Sequence, residues 1–564
     1  MNIIKRFHSG LQCIIVLAIS IAPLQSQSIS AQSTDPNTTE PVVVVTLGSV
    51  NKLMQDVNYV SGLVGQPQAG GLFAMMAGTF TQGIDTTQPI AIIVPLVEGM
   101  PQPLALVPTP DVKTVLQRLE AQTGPVDELK DGTLVIAVGV NTIYIRQQGD
   151  WAIIAPDRDV LNLAPTDPTT VFGETEDQYD LSVKLKMQQV PAPIRGMITA
   201  QMRQGFEQAM AQQGNADAEA AREMAESSLT QIEQLITDTD ELEFGFNVDQ
   251  SEKLVSFVTR FTAVEGTRLG EILSSQKPVP SQFSSVIRPD AAAFYHASSA
   301  IGPGAIDQAK TSLNTAKSSV VSLLQTQGDL PPNIQAEVIA YANRVIDLAE
   351  ASISEGKSDV GAVVLAGENK LSFALGAFVA DGNELATIAK EIGGKVESLP
   401  DAPRFSFDRE NYKDVMLHLV EMDVPAYEEE ARAILGDTFQ IHIGTAEKSV
   451  YLAMGKDSQK LMTDMIDAAN ADSSSNRPVG QLQLTLLPML QFAQSINSED
   501  TVMAMIDSLS RSSDSGRLMI IQESVPNGQE ARLSIGEGLL QAVGAAIRQG
   551  NLEAQRNAIQ NGQF

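Results

Sequence analysis

Apolar residues recur along this chain in two rhythms. In "TFQIHIG", Phe439, Ile441 and Ile443 alternate with Gln440 and His442, and a period of two places three apolar side chains on one face of a strand. In "TLVIAVGV" β-branched residues follow one another, which also favours a strand. Between such runs lie segments with helical spacing, such as "DVKTVLQRLEAQTG". "VDQSEK", Val248 to Lys253, and "PNGQ", Pro526 to Gln529, supply the turn residues that join two strands into a hairpin.

Laid out in order, these runs form two parallel series. "PVVVVTLGSVNKLMQDVNYVSGLV" has the layout of "DAAAFYHASSAIGPGAIDQAKTSL", a strand running into a helix. "PIAIIVPL" and "PLALVPTPDVKTVLQRLEAQTG" match "DVGAVVLAG" and "KLSFALGAFVADGNELATIAKEIGG". "GDWAIIAPDRDVLNLA", Gly149 to Ala164, matches "KSVYLAMGKDSQKLMTDMI", Lys448 to Ile466. "YDLSVKLKM" matches "GQLQLTLLPMLQFAQSI", and the hairpin that begins at Glu241 matches the one at Arg517. The expected fold class is therefore α+β, with two tandem pseudo-repeats, each a largely antiparallel sheet covered by helices, plus a helical hairpin. The join is expected near Gln282 to Pro289. Trp151 and Tyr451 should occupy corresponding strands, with helices over Val112–Gln122 and Gly382–Ile392 on one sheet face. Asp157 or Asp159, and in the second series Asp457 or Ser458, are candidate helix caps.

Helix formers concentrate in Arg195 to Ile236, with a break expected at Gly214 and Asn215, and in a hairpin joined at Gly328 to Pro332. Met197, Met202, Met210 and Met224 read as the core face of a helix, the alternative being an apolar groove.

The N-terminus reads as an export signal. Lys5 and Arg6 precede an apolar run from Leu11 to Leu24, too short to span a bilayer, and small residues follow. Cleavage is expected near Ser28–Ala31. The layout is then a signal peptide over 1–31, a flexible leader over 32–40, the repeats over 41–285 and 286–550, and a polar tail over 551–564. The single cysteine, Cys13, lies inside the apolar run, so the exported chain would hold no disulfide and no thiolate ligand. No later run is long enough for a transmembrane span.

The formal charge of −30 becomes −32 once Lys5 and Arg6 are removed. Such a field opposes nucleic acid, whose binding needs clustered cations, and points to an acidic, solvated surface. "TDTDELEFG" spaces Asp238 and Asp240 for calcium but lacks the loop glycine and the distal glutamate. Aromatics are only 5 %, with Trp151 the one tryptophan, which disfavours sugar stacking.

Candidate chemistry is thin. His296, His418 and His442 are scattered, with no H-E-x-x-H, and a lone His in a strand reads as a packed or surface residue and not a ligand. "FYHASS" sets His296 beside Ser298 and Ser299, but strand neighbours do not form a triad. "AIGPGAIDQAK" lacks the spacing of a phosphate loop. No catalytic, cofactor-binding or metal residue is assigned, and no cofactor.

"GDWAIIAPDRDVLNLA", with Gly149, Asp150, Trp151, the apolar run Ala152 to Ala155, Pro156 and Val160, resembles a motif of uncharacterised secreted bacterial proteins of the planctomycete type. The second copy departs from it, with Gly455 where the proline would stand. The resemblance implies tandem sheet-plus-helix repeats and carries no activity. The expectation is a non-catalytic exported protein, periplasmic or extracellular, that binds or scaffolds an unknown envelope component. The alternatives are a carrier of an apolar ligand and a hydrolase using unidentified carboxylates.

Overall fold

The computed structural model describes residues 40–560, apart from residue 98 and the segments 139–140, 174–177, 213–228, 231, 327–331, 398–401 and 470–476. The expected signal, most of the leader and the expected break at Gly214 lie outside the described residues.

Each alternating run forms a strand, and the strands join one antiparallel sheet of twenty. Its order follows from the pairings. In the first half it runs Asp127–Glu128, Leu134–Val138, Asn141–Gln148, Trp151–Ala155, Leu104–Pro108, Ile90–Val94, Val43–Leu47, Leu181–Lys186, Thr239–Asp249 and Leu254–Ala263. In the second it runs Arg404–Tyr412, Val415–Asp423, Thr438–Thr445, Ser449–Gly455, Lys370–Phe378, Lys357–Gly367, Ala293–Ala300, Gly480–Thr485, Arg517–Val525 and Gly528–Gly536. Numbered within its own half, each series reads 4-5-6-7-3-2-1-8-9-10. The last strands of the two halves pair with each other, from Leu254 opposite Gly536 to Thr262 opposite Gly528. This pairing is the seam that makes one sheet of the two halves.

The fold is α+β, as its patterning predicts. Helices follow the strands at the expected places: Val50–Leu63 after the first strand, Pro303–Thr326 and Pro332–Ser354 at the matching point, and Val112–Thr123 and Gly382–Val396 further on; Pro67–Phe80 is a helix that the patterning did not predict. The segment after Trp151–Ala155 is only a 3-10 turn, Val160–Leu163, whereas its counterpart is the full helix Ser458–Ala468. None of the three expected aspartates caps with its side chain, although Asp159 and Asp457 hold the cap positions. Asp157 accepts the N–H of Asp159 at 2.8 Å, and Asp457 sits in the left-handed region at φ 61° with its carboxylate 3.6 Å from Lys370 and not on the helix N–H groups. The C-terminal helix, Glu537–Gln560, carries on through most of the expected polar tail.

Helices do not keep to one sheet face. Val112 and Leu116 pack on Ile136, Ile145 and Ala152, while Val160, Leu161 and Phe172 pack on Trp151 and Ile153, which point the other way. Both faces of the outer sheet are thus covered. In the second half Leu461, Met462, Met465 and Ile466 join Tyr451, Ala453 and Leu417 in one core. Trp151 packs tilted against Phe172 at 5.5 Å, and Tyr451 meets Phe283 edge to face at 5.7 Å. The segment expected to join the halves is itself core, with Phe283 and Val286 at 0 % and 1 % exposure. Gly376 makes room for it, since a Cβ there would lie 2.3 Å from the Phe283 ring.

Candidate binding surface

At the seam the sheet has two unlike faces. Paired residues of an antiparallel sheet point the same way, so the register reads off each face. One face carries an ionic strip: Glu243 lies opposite Arg260, and Arg260 opposite Glu530. Lys184 lies 3.4 Å from Glu241 and 3.7 Å from Glu243, and Glu530 pairs with Arg532 at 3.0 Å and Arg260 at 3.5 Å. Ser256 and Ser534 meet across the seam at 3.3 Å. Tyr179 belongs to this side, and burial, with Glu243 and Glu530 adding to it, pushes its phenol up.

The other face is apolar along an unbroken row. Leu47 lies opposite Leu181, then follow Phe246, Phe257, Leu533, Ile520, Leu482 and Tyr295, each opposite the next across successive strands. Phe246 and Phe257 pack at 5.2 Å. An antiparallel sheet with one polar and one apolar face normally buries the apolar one. Here Phe257 is 45 % exposed, Tyr295 45 %, Leu181 41 % and, in the neighbouring row, Phe244 48 %. The short helix Arg268–Ser275 covers one end of this face, where Leu269 and Leu273 meet Phe261 and Ala263, and Val248 and Val255 are buried at the other. The row spans eight strands, roughly 30 Å at ~4.8 Å per strand.

These strands are interior to the sheet, paired on both sides. Their backbone groups are spent within the protein, so a strand-shaped partner has no edge to add to. What the surface offers is side-chain contact without direction.

The histidines lie elsewhere, and of the packed and surface positions open to them the structure gives all three packed ones. His296 is fully buried; its Nε2 lies 2.9 Å from the Ser281 hydroxyl, which donates to Asp359 Oδ1 at 2.6 Å. The hydroxyl stands between imidazole and carboxylate, whereas a nucleophilic triad sets the imidazole in the middle. Ser298 donates instead to the carbonyl of Val279 at 3.0 Å. Asp359 also accepts the N–H of Gln282 at 2.8 Å, so the cluster pins the inter-half segment to the sheet. Burial pushes the Asp359 carboxyl up. His418 accepts the N–H of Asp408 at Nδ1, 3.0 Å, and faces Thr445 at 3.1 Å. Burial holds both His418 and His442 below the usual imidazole range. Among the described residues no group of three or more His, Cys, Asp or Glu could hold a metal ion, and no helix is long and apolar enough to cross a membrane. A cleft of about 230 Å³ between Asn369, Ala433, Ile434 and Ile496 is smaller than the usual small-molecule pocket of roughly 300–1,000 Å³.

The methionines of the long helix Ala192–Gln212 correct an expectation. Met197 is 54 % exposed and does not belong to a core face, Met202 is partly buried, and the side chain of Met210 and the whole of Met224 lie outside the described residues. The exposed aromatic row went unread in the sequence, although "ELEFGFNVD" carries its signal: Leu242, Phe244, Phe246 and Val248 alternate with polar residues or glycine.

No protein-family model matches the chain, and no curated protein does. Among solved structures, crystal form III of TP0453 aligns at 5 % identity over 42 % of this chain and 82 % of its own, with a TM-score of 0.23. Crystal form IV of TP0453 aligns at 6 % identity over 41 % and 81 %, with a TM-score of 0.22. Likeness at that level carries no argument about this chain.

Proposed function

We propose that this chain is a non-catalytic, exported binding component of the cell envelope, and that its ligand is apolar and lies on the open face of the seam. The observation that carries the reading is the half-exposed row from Leu181 through Phe257 to Tyr295. Contiguous apolar surface of this kind marks an interaction site. Interior strands leave no backbone edge, so the contact is made by side chains alone, which suits an acyl chain or a flat hydrocarbon. Open carriage is favoured over an enclosed cavity because the rings face outward. Hydrolysis by the His296–Ser281–Asp359 cluster is disfavoured because that cluster is shut away from any substrate. The identical strand order of the halves supports their origin by tandem duplication, which would make the seam the meeting of two equivalent edges.

The test is binding of the neutral dye Nile red to the folded chain. Wild type should bind with a blue-shifted emission, and Phe257→Asp should lose most of the signal with its circular dichroism unchanged. Equal binding by wild type and by a Phe244→Asp, Phe257→Asp double variant would sink the reading.

A further inference from the structure

A second surface points to a partner of its own. Helix Pro67–Phe80, "PQAGGLFAMMAGTF", has one buried residue, Gly70, with Phe73, Ala74 and Ala77 half-buried on the same side. There it meets the preceding helix so closely that a Cβ would lie 2.4 Å from the Ser61 hydroxyl and 2.9 Å from the Asn58 Cα. At about 100° per residue, Leu72, Met75, Met76 and Phe80 lie about 140–280° around the helix from Gly70, on the side facing away from that contact. They are 55 %, 65 %, 54 % and 63 % exposed. An ordinary surface helix turns its apolar stripe inward and its charges outward; this one shows its stripe and has no charge to show. From Gly62 to Pro110 the only charged residues are Asp85 and Glu98, in a chain that is 19 % charged.

We infer that this helix docks on a neutral, zwitterionic lipid surface. Four large apolar side chains on one outward face match the depth at which an interfacial helix lies among headgroups and acyl chains. The charge-free stretch around it can approach that layer without desolvating an ion. With no Lys or Arg on the helix and a formal charge of −30 on the chain, an anionic surface repels it. The turn Leu63–Gly65 rests on the C-terminal helix at Gly544 and Arg548, so the docking helix projects from a fixed base. The inference concerns a different surface from the seam and stands without it.

A site-specific label tests it in the full chain. Cys13→Ser removes the native thiol, and Met75→Cys carries an environment-sensitive nitrobenzoxadiazole label, with Asp464→Cys as a control on the second half. On phosphatidylcholine vesicles the label at position 75 should shift blue and brighten severalfold, while that at 464 stays unchanged. Replacing part of the lipid with phosphatidylglycerol should weaken the response. Adding Met76→Glu and Phe80→Glu, both exposed positions, should lower lipid partition by about tenfold or more. A label at 75 that does not respond to phosphatidylcholine, or that responds equally without vesicles because copies of the chain associate, would overturn the inference. Loss of Nile red binding in Phe257→Asp with the vesicle response intact would separate the two surfaces.

Discussion

The two halves share a strand order and differ in how their first helical hairpins are seated. In the second half the hairpin is long, Pro303–Thr326 and Pro332–Ser354, and its second helix is anchored. Ile346 is fully buried, Ser352 accepts the N–H of Ala380 at 2.8 Å, and Arg344 reaches Glu384 at 2.7 Å and Glu391 at 2.6 Å on the neighbouring helix. In the first half both helices have 14 residues, and the second is buried only at Gly70. One topology thus serves two purposes: a closed hairpin that completes a core, and an open one that presents apolar side chains. Pairing order is set by the strands, but which hairpin closes is set by helix length and by what the helix carries on its inner face.

The largest effects should separate the cores from the displayed surfaces. Phe283→Ala removes a fully buried ring from the second-half core and should cost about 3–5 kcal/mol in chemical denaturation. Leu72→Ala or Met75→Ala, on the displayed helix, should stay within ~0.5 kcal/mol. A Met75→Ala loss as large as that of Phe283→Ala would mean that the open hairpin is in fact closed.

Next comes the ionic pin of the first half. Lys52 pairs with Asp56 at 2.9 Å and with Asp180, both carboxylates being 2 % exposed. Burial alone would lower the Lys52 ammonium; the hydrogen bonds and charges of Asp180 and Asp56 outweigh it and hold it up. Lys52→Met leaves two buried carboxylates without their cation and should cost about 3 kcal/mol at neutral pH. The loss should shrink as acid protonates them. The Arg344 pairs of the second hairpin are more exposed, and Arg344→Ala should cost at most about 1 kcal/mol.

A smaller effect distinguishes the halves by pH, since His296, His418 and His442 all belong to the second. Burial lowers His418 and His442 from the ordinary 6.5. The unfolded chain therefore binds protons below that pH that the folded chain resists, and stability falls as pH drops through 6.5. Asp408 and Lys390 face His418, and Arg409 and Glu421 face His442. Asp359 has the opposite sign: its raised pKa means that it penalises the fold above 3.8 and relents on acidification. Melting temperature between pH 7 and pH 5.5 should fall in wild type and flatten in a His418→Gln, His442→Gln double variant that remains folded. An unchanged slope would refute the assignment.

Much of the architecture was legible because strands announce themselves locally. The alternation in "TFQIHIG" and the turn residues of "PNGQ" fix hairpins without knowledge of what lies beyond. The seam was not legible, because Phe257 and Leu533 are neighbours only through a pairing between the last strands of both halves. The same limit applies to Phe283: a segment with "PVPSQFSSVIRP" reads as a linker, and only the space left by Gly361 and Gly376 shows why it is core. Alternation told which face of "ELEFGFNVD" was apolar, but not that Phe244 would be left half-exposed while Val248 is buried. Helix spacing likewise could not say whether the methionine stripe at 75 and 76 faced in or out, because that depends on the contact at Gly70.

The account turns on the open row at the seam. Native mass spectrometry of the chain purified from its own envelope tests it most directly, comparing wild type with a folded Phe257→Asp variant. The account predicts a retained apolar mass on wild type that extracts into organic solvent and is lost from the variant. Wild type carrying no such mass, or both forms carrying the same one, would contradict it.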